Sequence, residues 1–382
     1  MALASNALMR IVVDARYLGP KTSGIGSYIR GVATRLPALD PSLELRLWLP
    51  VGSHPEEQLA RHATINPVSA IPNSLSTLFL SRWFDDWSNV DLFHAPANVL
   101  GFRIPVPSVV TIHDVMWLEH LSWCQPAPWL RPISFAYFQT AIRHAIRRAS
   151  RILTVSNASR DAIVRIDESA RSRIVVAHNA YEPEFCPPES RDEARVQAAK
   201  LLGFEEDFVL MIGQNVPSKG HDIGLRAFAA YAPRPIRFVV IQRLQPGRGL
   251  AAIAAELGAS DRVTFVPELP FEGLLAVLRS ARLLIQPSRA EGFGLPVLEA
   301  MATGCPVLAS DIAPLVEVLG GAGVTAPMGD VRATGEALAS ILADRELGET
   351  LRARGLERAK DFSWDETARL TLEVYRDACR AL

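Results

Sequence analysis

Short apolar runs of five to seven residues recur along the chain, separated by stretches long enough to hold helices. In the first half they are 10–14 (RIVVD), 43–49 (LELRLWL), 90–95 (VDLFHA), 108–114 (SVVTIHD), 151–155 (RILTV) and 173–177 (RIVVA). In the second half they are 208–213 (FVLMIG), 237–242 (RFVVIQ), 262–267 (RVTFVP), 282–286 (RLLIQ) and 305–310 (CPVLAS). Runs this short read as strands, the pattern of a parallel sheet with crossover helices, with 43–49 alternating along its length. Helices are predicted from 24 to about 36, over 75–88, from about 129 onward, over 156–166, over 271–281 and over most of 331–380. Between 179 and 188 (NAYEPEFCPP), three prolines and no apolar period mark a linker. The expected class is therefore α/β, in two domains with a final helical segment.

The stretch 282–310 carries the most chemistry. After the strand RLLIQ, 287–294 forms a loop with two glycines and the carboxylate of Glu291. Pro296 suits the first turn of a helix, where its missing N–H costs nothing. Residues 297–302 make a short helix, Gly304 is a natural stop, and CPVLAS is the next strand. The start of such a helix presents backbone N–H groups and partial positive charge to an anion. Glycines let a ligand come close to the backbone. Glu299 sits one turn inside the helix. Two carboxylates flanking an anion-binding turn suit a ligand with both phosphates and hydroxyls, that is, a sugar nucleotide.

The run EGFGLPVLEAMATGCPV, with Glu291 and Glu299 eight apart, resembles the signature of retaining GT-B glycosyltransferases of the group 1 family, family four. The resemblance implies two Rossmann-like domains facing a cleft: an acceptor domain over 1–181 and a donor domain over 182–363. A helix over 364–382 would cross back to the first domain. It implies that Glu291, with the backbone of Phe293, Gly294 and Leu295, holds the donor hexose and phosphates. Glu299 would hold the ribose. Lys219, in the loop 214–221 (QNVPSKGH), resembles the family's diphosphate-binding lysine. The family generally has an arginine in that loop, and here Gln214 and Ser218 stand where it is expected. Arg243, after the strand 237–242, is the candidate replacement.

The first half matches less specifically. Gly24 and Gly26 match the family's Gly-rich loop facing the donor phosphates. The same segment, GIGSYIR, nearly matches GxGxxG, but Ile29 takes the third glycine's place and the gap after the first strand is too long for a dinucleotide turn. His113, at the end of the strand 108–114, resembles the family's histidine near the donor's reacting carbon. His94 is a weaker match. The aromatic stretch 117–138 reads as core packing around a long helix, with an acceptor contact as the other use. Arg143, Arg147, Arg148 and Arg151 include an i, i+4, i+8 stripe, read as a solvated face or a contact to anionic lipid. A second resemblance, of VDARYLGPKTSGIGSYIRGV to bacterial polysaccharide mannosyltransferases, makes GDP-mannose the expected donor.

Composition narrows the alternatives. A chain of 382 residues, 49% hydrophobic and 21% charged, builds about two globular domains. Its net charge of −1 offers no bulk attraction to nucleic acid. Four cysteines (124, 186, 305 and 379) lie far apart without CxxC, which suits a reducing cytoplasm and gives no zinc site. No signal peptide or membrane-spanning run is evident, so a cytoplasmic protein is expected, with peripheral contact at the inner membrane face as an open expectation. No cofactor is expected. No metal is expected either, since no Asp-x-Asp occurs and Asp85–Asp86 fall in the predicted helix 75–88. The expected partners are a nucleoside diphosphate sugar and a saccharide or lipid-linked acceptor, with the oligomeric state left open. Three other functions compete: a GT-B sugar-nucleotide epimerase, a dinucleotide oxidoreductase and a non-catalytic sugar-nucleotide-binding subunit.

Overall fold

A computed structural model describes residues 8–19, 23–53, 57–125, 127–242 and 249–380. The chain divides into two compact units: Met1–Ala180 with Ser363–Leu382, and Tyr181–Phe362. The first carries β1 (Met9–Asp14), β2 (Leu43–Pro50), β3 (Ala63–Val68), β4 (Leu92–Ala95), β5 (Ser108–Ile112), β6 (Arg151–Thr154) and β7 (Ile174–Val176) in the order 3-2-1-4-5-6-7. The second carries β8 (Phe208–Ile212), β9 (Arg237–Ile241), β10 (Val263–Val266), β11 (Leu283–Gln286), β12 (Val307–Ser310) and β13 (Val324–Ala326) in the order 10-9-8-11-12-13. The described strand pairs are all parallel. Central strands such as β5 (SVVTI) and β11 (LLIQ) are buried at every position, which is why they read as unbroken apolar runs.

The strand order reverses direction between β1 and β4 in one unit and between β8 and β11 in the other. In open α/β sheets, ligands bind beyond the carboxyl ends of the strands at such a switch point. In the second unit the loop after β8 holds Lys219 and the loop after β11 holds Glu291. Topology alone therefore brings two residues 72 positions apart to one sheet end.

Several expectations need correction. The helix over 75–88 stops early: Leu75–Leu80 is helical and Ser81–Trp83 is one 3-10 turn. The Ser81 hydroxyl donates to the Thr77 carbonyl, and Asn66 Nδ2 donates to the Phe84 carbonyl at 2.8 Å. Side-chain bonds to the backbone thus compete with the next helical turn. Asp85 lies beyond the helix and accepts from Trp48 Nε1 at 2.7 Å and from Asn66 Nδ2 at 3.0 Å, with Arg46 as its ion-pair partner. The arginine stripe is also shorter than expected. The helix Arg131–Arg148 ends before Arg151, which opens β6 and donates from Nε to Asp377 at 2.5 Å. β3 had no counterpart in the apolar pattern. It is an edge strand with one buried residue, and an edge tolerates its Pro67.

The last helix, Trp364–Arg380, packs in the first unit. Arg376 pairs with Asp40 at 2.7 Å, and the Thr367 hydroxyl donates to the His178 carbonyl at 2.6 Å. Gly31 admits the Trp364 indole so closely that a Cβ there would lie 2.3 Å from Cδ2.

Candidate active site

In the second unit, the site is built from two loops clamped together. Gly220 has φ +65°, and a Cβ on it would lie 2.0 Å from the Pro287 carbonyl oxygen. Only glycine lets the backbones of the two loops approach this closely. The Ser218 carbonyl accepts from the Arg289 N–H at 2.7 Å and the Ala290 N–H at 3.3 Å. The Arg289 guanidinium donates to the Pro217 carbonyl at 2.7 Å and forms a bidentate pair with Asp222 at 2.9 and 2.8 Å. Burial works to raise the Asp222 carboxyl, but the bonds and charge of Arg289 outweigh it and hold the group below its ordinary range.

That clamp sets Lys219 against Glu291. Lys219 Nζ donates to both carboxylate oxygens of Glu291, at 2.7 and 2.6 Å. Glu291 Oε1 also accepts from Ser288 Oγ at 2.8 Å and Gln286 Nε2 at 3.2 Å. The Glu291 side chain is 7% exposed and that of Lys219 22%. The cation thus keeps more contact with solvent than its partner does.

The helix Leu295–Thr303 begins just beyond Glu291. Its N-cap is Gly294 at φ +112°, with no side-chain cap, and Pro296 occupies its first turn. The helix start therefore keeps its partial positive charge without a capping side chain. A Cβ at Gly294 would lie 2.5 Å from Leu315 Cδ2. The Phe293 ring is buried and meets Phe362 edge-on at 5.7 Å. Its side chain anchors the loop. Glu299 sits one turn into the helix, and its carboxyl is pushed up to about 7, by burial first and by the charge of Glu182 second. Such a group is close to evenly divided between acid and carboxylate at neutral pH.

Three residues escaped the sequence reading. Arg289 and Asp222 act across the two loops, and no spacing in the sequence reports that contact. His221 opens the helix His221–Tyr231 and is 3% exposed, with the Gly213 backbone beside its ring. Burial, then the charge of Lys219, holds its imidazole down to about 4, so it is neutral. A buried polar ring with little protein bonding leaves room for a ligand atom to add to it. Arg243 lies outside the described residues.

In the first unit, Gly24 and Gly26 are the first and third residues of the helix Gly24–Ala33, whose N-cap Ser23 accepts from the Gly26 N–H at 3.0 Å. A Cβ on Gly26 would lie 3.0 Å from the Tyr17 carbonyl oxygen. Tyr28 of the same helix meets the His113 ring edge-on at 5.2 Å. His113 follows β5 and is 8% exposed. Its Nε2 donates to the Pro96 carbonyl at 2.8 Å, which leaves the ring lone pair on Nδ1. Burial holds this imidazole down to about 4. His94 is more enclosed still, with Nδ1 bonded to Tyr375 at 2.7 Å and Nε2 to Thr111 at 2.8 Å. It is committed to that network. Among the described residues no group of three His, Cys, Asp or Glu is placed to hold a metal ion.

Comparison with known proteins decides the family. The profile described as "Glycosyl transferases group 1" matches residues 193–358, and that described as "Glycosyltransferase Family 4" matches residues 22–185. An Escherichia coli O-antigen chain mannosyltransferase B is 30% identical over 75% of this chain and 74% of its own length. The chain is a group 1 glycosyltransferase. A D-inositol 3-phosphate glycosyltransferase from Mycobacterium avium is 34% identical over 73% of this glycosyltransferase and 66% of its own length. The GT-B fold is shared with sucrose-phosphate synthase from Thermosynechococcus elongatus. That likeness has TM-score 0.77 at 20% identity and covers 98% of this chain and 100% of the other. Anabaena HepE, solved with UDP-glucose, gives TM-score 0.75 at 18% identity and covers 97% and 100%.

The clamp in this glycosyltransferase can be tested directly. Gly220→Ala is expected to cost about 1–3 kcal/mol for the left-handed backbone alone. The clash with Pro287 adds to that. Urea denaturation should show a clearly lower midpoint, and a midpoint within error of wild type would refute the close approach of the loops.

Proposed function

We propose that this enzyme transfers a hexose, with mannose the first candidate, from a nucleoside diphosphate sugar to a saccharide or lipid-linked acceptor, with retention of configuration. The observation that carries this reading is the Lys219–Glu291 pair, held at the switch point of the second sheet beside the uncapped start of the helix Leu295–Thr303. Lys219 and the helix start supply positive potential for the diphosphate. Glu291 and the backbone of 293–295 receive the hexose, and Glu299 the ribose hydroxyls. His221 donates to a phosphate oxygen, and His113 Nδ1 accepts from a sugar hydroxyl. Arg289 takes the structural part of the arginine missing beside Lys219: it secures the loop, while its own charge is spent on Asp222.

In this reaction the bond from the anomeric carbon to the phosphate oxygen breaks as the bond to the acceptor oxygen forms on the same face. The leaving phosphate oxygen takes the acceptor proton, so no protein nucleophile is required. The enzyme's part is to stabilise charge on the leaving group through donors fixed in the fold. Mannose is favoured by the E. coli mannosyltransferase relative, and GDP-mannose is the donor the sequence resemblance implies. Four free cysteines suit a cytoplasmic setting.

A thermal-shift panel of nucleoside diphosphate sugars tests the reading. GDP-mannose should raise the melting temperature more than UDP-glucose or free GDP, since only a ligand that binds the native state stabilises it. Transfer should continue in excess EDTA. Failure of every sugar nucleotide to shift the melt would overturn the reading. Loss of turnover in EDTA that magnesium restores would overturn metal independence.

A further inference from the structure

Asn98 lies in the loop after β4, at the switch point of the first sheet. It has φ +64°, and around it the Val99 N–H donates to the Ala97 carbonyl at 2.8 Å. A bond that spans two residues about a positive φ makes the rare, strained form of γ-turn. Glycine adopts such a φ freely, whereas asparagine merely tolerates it. Strain of this kind persists where its surroundings hold it, and it clusters at functional sites. Here the turn is tied to β5, since the Asn98 N–H donates to the Thr111 carbonyl at 3.0 Å.

The same loop grips His113. β5 ends at Ile112, and the loop takes over where the strand stops. The Pro96 carbonyl accepts from His113 Nε2 at 2.8 Å, and Asn98 Oδ1 accepts from the His113 N–H at 2.7 Å. A backbone N–H can only donate, so the carboxamide must turn its oxygen toward His113. Ser159 Oγ, in the helix Asn157–Ile166, donates to the His113 carbonyl at 2.8 Å. The ring, the N–H and the carbonyl of His113 are thus each held, and Nδ1 is the ring atom left for a ligand. Pro96 gives its backbone to this arrangement, and Ser159 belongs to a regular helix. Asn98 is different. A glycine would relieve its turn, but the bond to His113 needs a side chain with an acceptor oxygen.

We infer that Asn98 is a positioning residue for the transfer reaction: it fixes the backbone of His113, so that Nε2 stays on the Pro96 carbonyl and Nδ1 stays turned to the sugar. This role rests on the reading that His113 Nδ1 accepts from a sugar hydroxyl. The strained turn makes physical sense on those terms. It brings two acceptors of one short loop, the Pro96 carbonyl and Asn98 Oδ1, onto the ring and the backbone of a single residue. A ring held at both places keeps one tautomer and one orientation before the ligand arrives, which is the preorganisation a reacting centre needs.

Nitrogen-15 spectra of histidine-labelled free protein at pH 8 test the positioning, with the His113 signals assigned by their loss in His113→Gln. Wild type should show one tautomer, protonated at Nε2. Asn98→Gly should show a mixture of both tautomers. Asn98→Asp restores an acceptor at a tolerated φ and should show the single tautomer again. His113 signals unchanged in Asn98→Gly would overturn the inference, whatever the donor sugar. Kinetics test the use of that position, with GDP-mannose as donor and water as acceptor. Asn98→Gly should lower kcat by about tenfold to a hundredfold, the scale on which small misplacements are felt. KM for GDP-mannose should change little, because Lys219 and the start of the helix Leu295–Thr303 still hold the phosphates. The melting temperature should stay near that of wild type, since glycine relieves the turn as the bond is lost. Asn98→Gly combined with His113→Ala should be no slower than His113→Ala alone, because residues that act as a unit are not additive. Additive losses would overturn the inference, as would a wild-type rate for Asn98→Gly beside a slow His113→Ala. A wild-type rate for His113→Ala is a different failure: it would refute the sugar contact of His113 on which the role of Asn98 rests.

Discussion

Lys219→Ala should lower turnover by roughly 10²- to 10³-fold, the effect of removing one preorganised donor worth about 2.7–4 kcal/mol from a developing negative charge. The expectation comes from where the ammonium sits. It is fixed by the clamp between the two loops and donates to both oxygens of Glu291. A cation already in place costs no reorganisation when the diphosphate leaves. The same substitution leaves the Glu291 carboxylate, 7% exposed, without its counter-ion. An unpaired carboxylate in such a place destabilises the fold, so stability must be separated from chemistry. The double variant Lys219→Ala with Glu291→Gln removes the orphaned charge and should recover the melting temperature lost by the single variant. It should not recover turnover. Steady-state kinetics beside thermal melts would decide the matter. A double variant that regains both would make the pair a stabilising contact only and would end the catalytic role of Lys219.

The parts of the site legible in the sequence are those that are contiguous in it. β11, the loop with Glu291, the helix start at Leu295 and β12 follow one another within a single βαβ unit. Local rules suffice there: Pro296 in a first turn, Gly294 and Gly304 at helix ends. Lys219 is a candidate in the sequence through the resemblance of its loop, but its bond to Glu291 depends on β8 lying beside β11, and strand order is not written in apolar periodicity. Arg289 shows the same limit. It reads as an ordinary loop arginine until the fold brings Asp222 and the Pro217 carbonyl to it. The 75–88 segment failed for a related reason. Its helical pattern is genuine through Leu80, and contacts from β2 and β3 then redirect Phe84 and Asp85. His221 was invisible for want of context, since a single histidine after a glycine carries no signal until its burial is known.

Glu299 should make nucleotide binding depend on pH in a direction its burial dictates. The carboxyl of the free protein is raised to about 7. Ribose hydroxyls donate to the carboxylate form, so binding favours ionisation and releases a proton wherever the free group is protonated. Affinity for a nucleoside diphosphate should be level above pH 7 and fall as pH drops below it, approaching tenfold per pH unit. Glu299→Gln should remove that dependence. It should also weaken binding at pH 8 by about 1.5–3 kcal/mol, the difference a charged acceptor makes. Stability should move the other way. A carboxyl whose folded pKa lies above its unfolded value contributes its stability below the unfolded value and loses it as pH rises through about 7. Glutamine carries no such charge, so the free Glu299→Gln protein should melt higher than wild type at pH 8 while binding nucleotide less tightly. Calorimetric titrations at several pH values, with melts of the free proteins, read both effects. Equal nucleotide affinity in wild type and variant at pH 8 would remove Glu299 from the donor site, whatever the melts show.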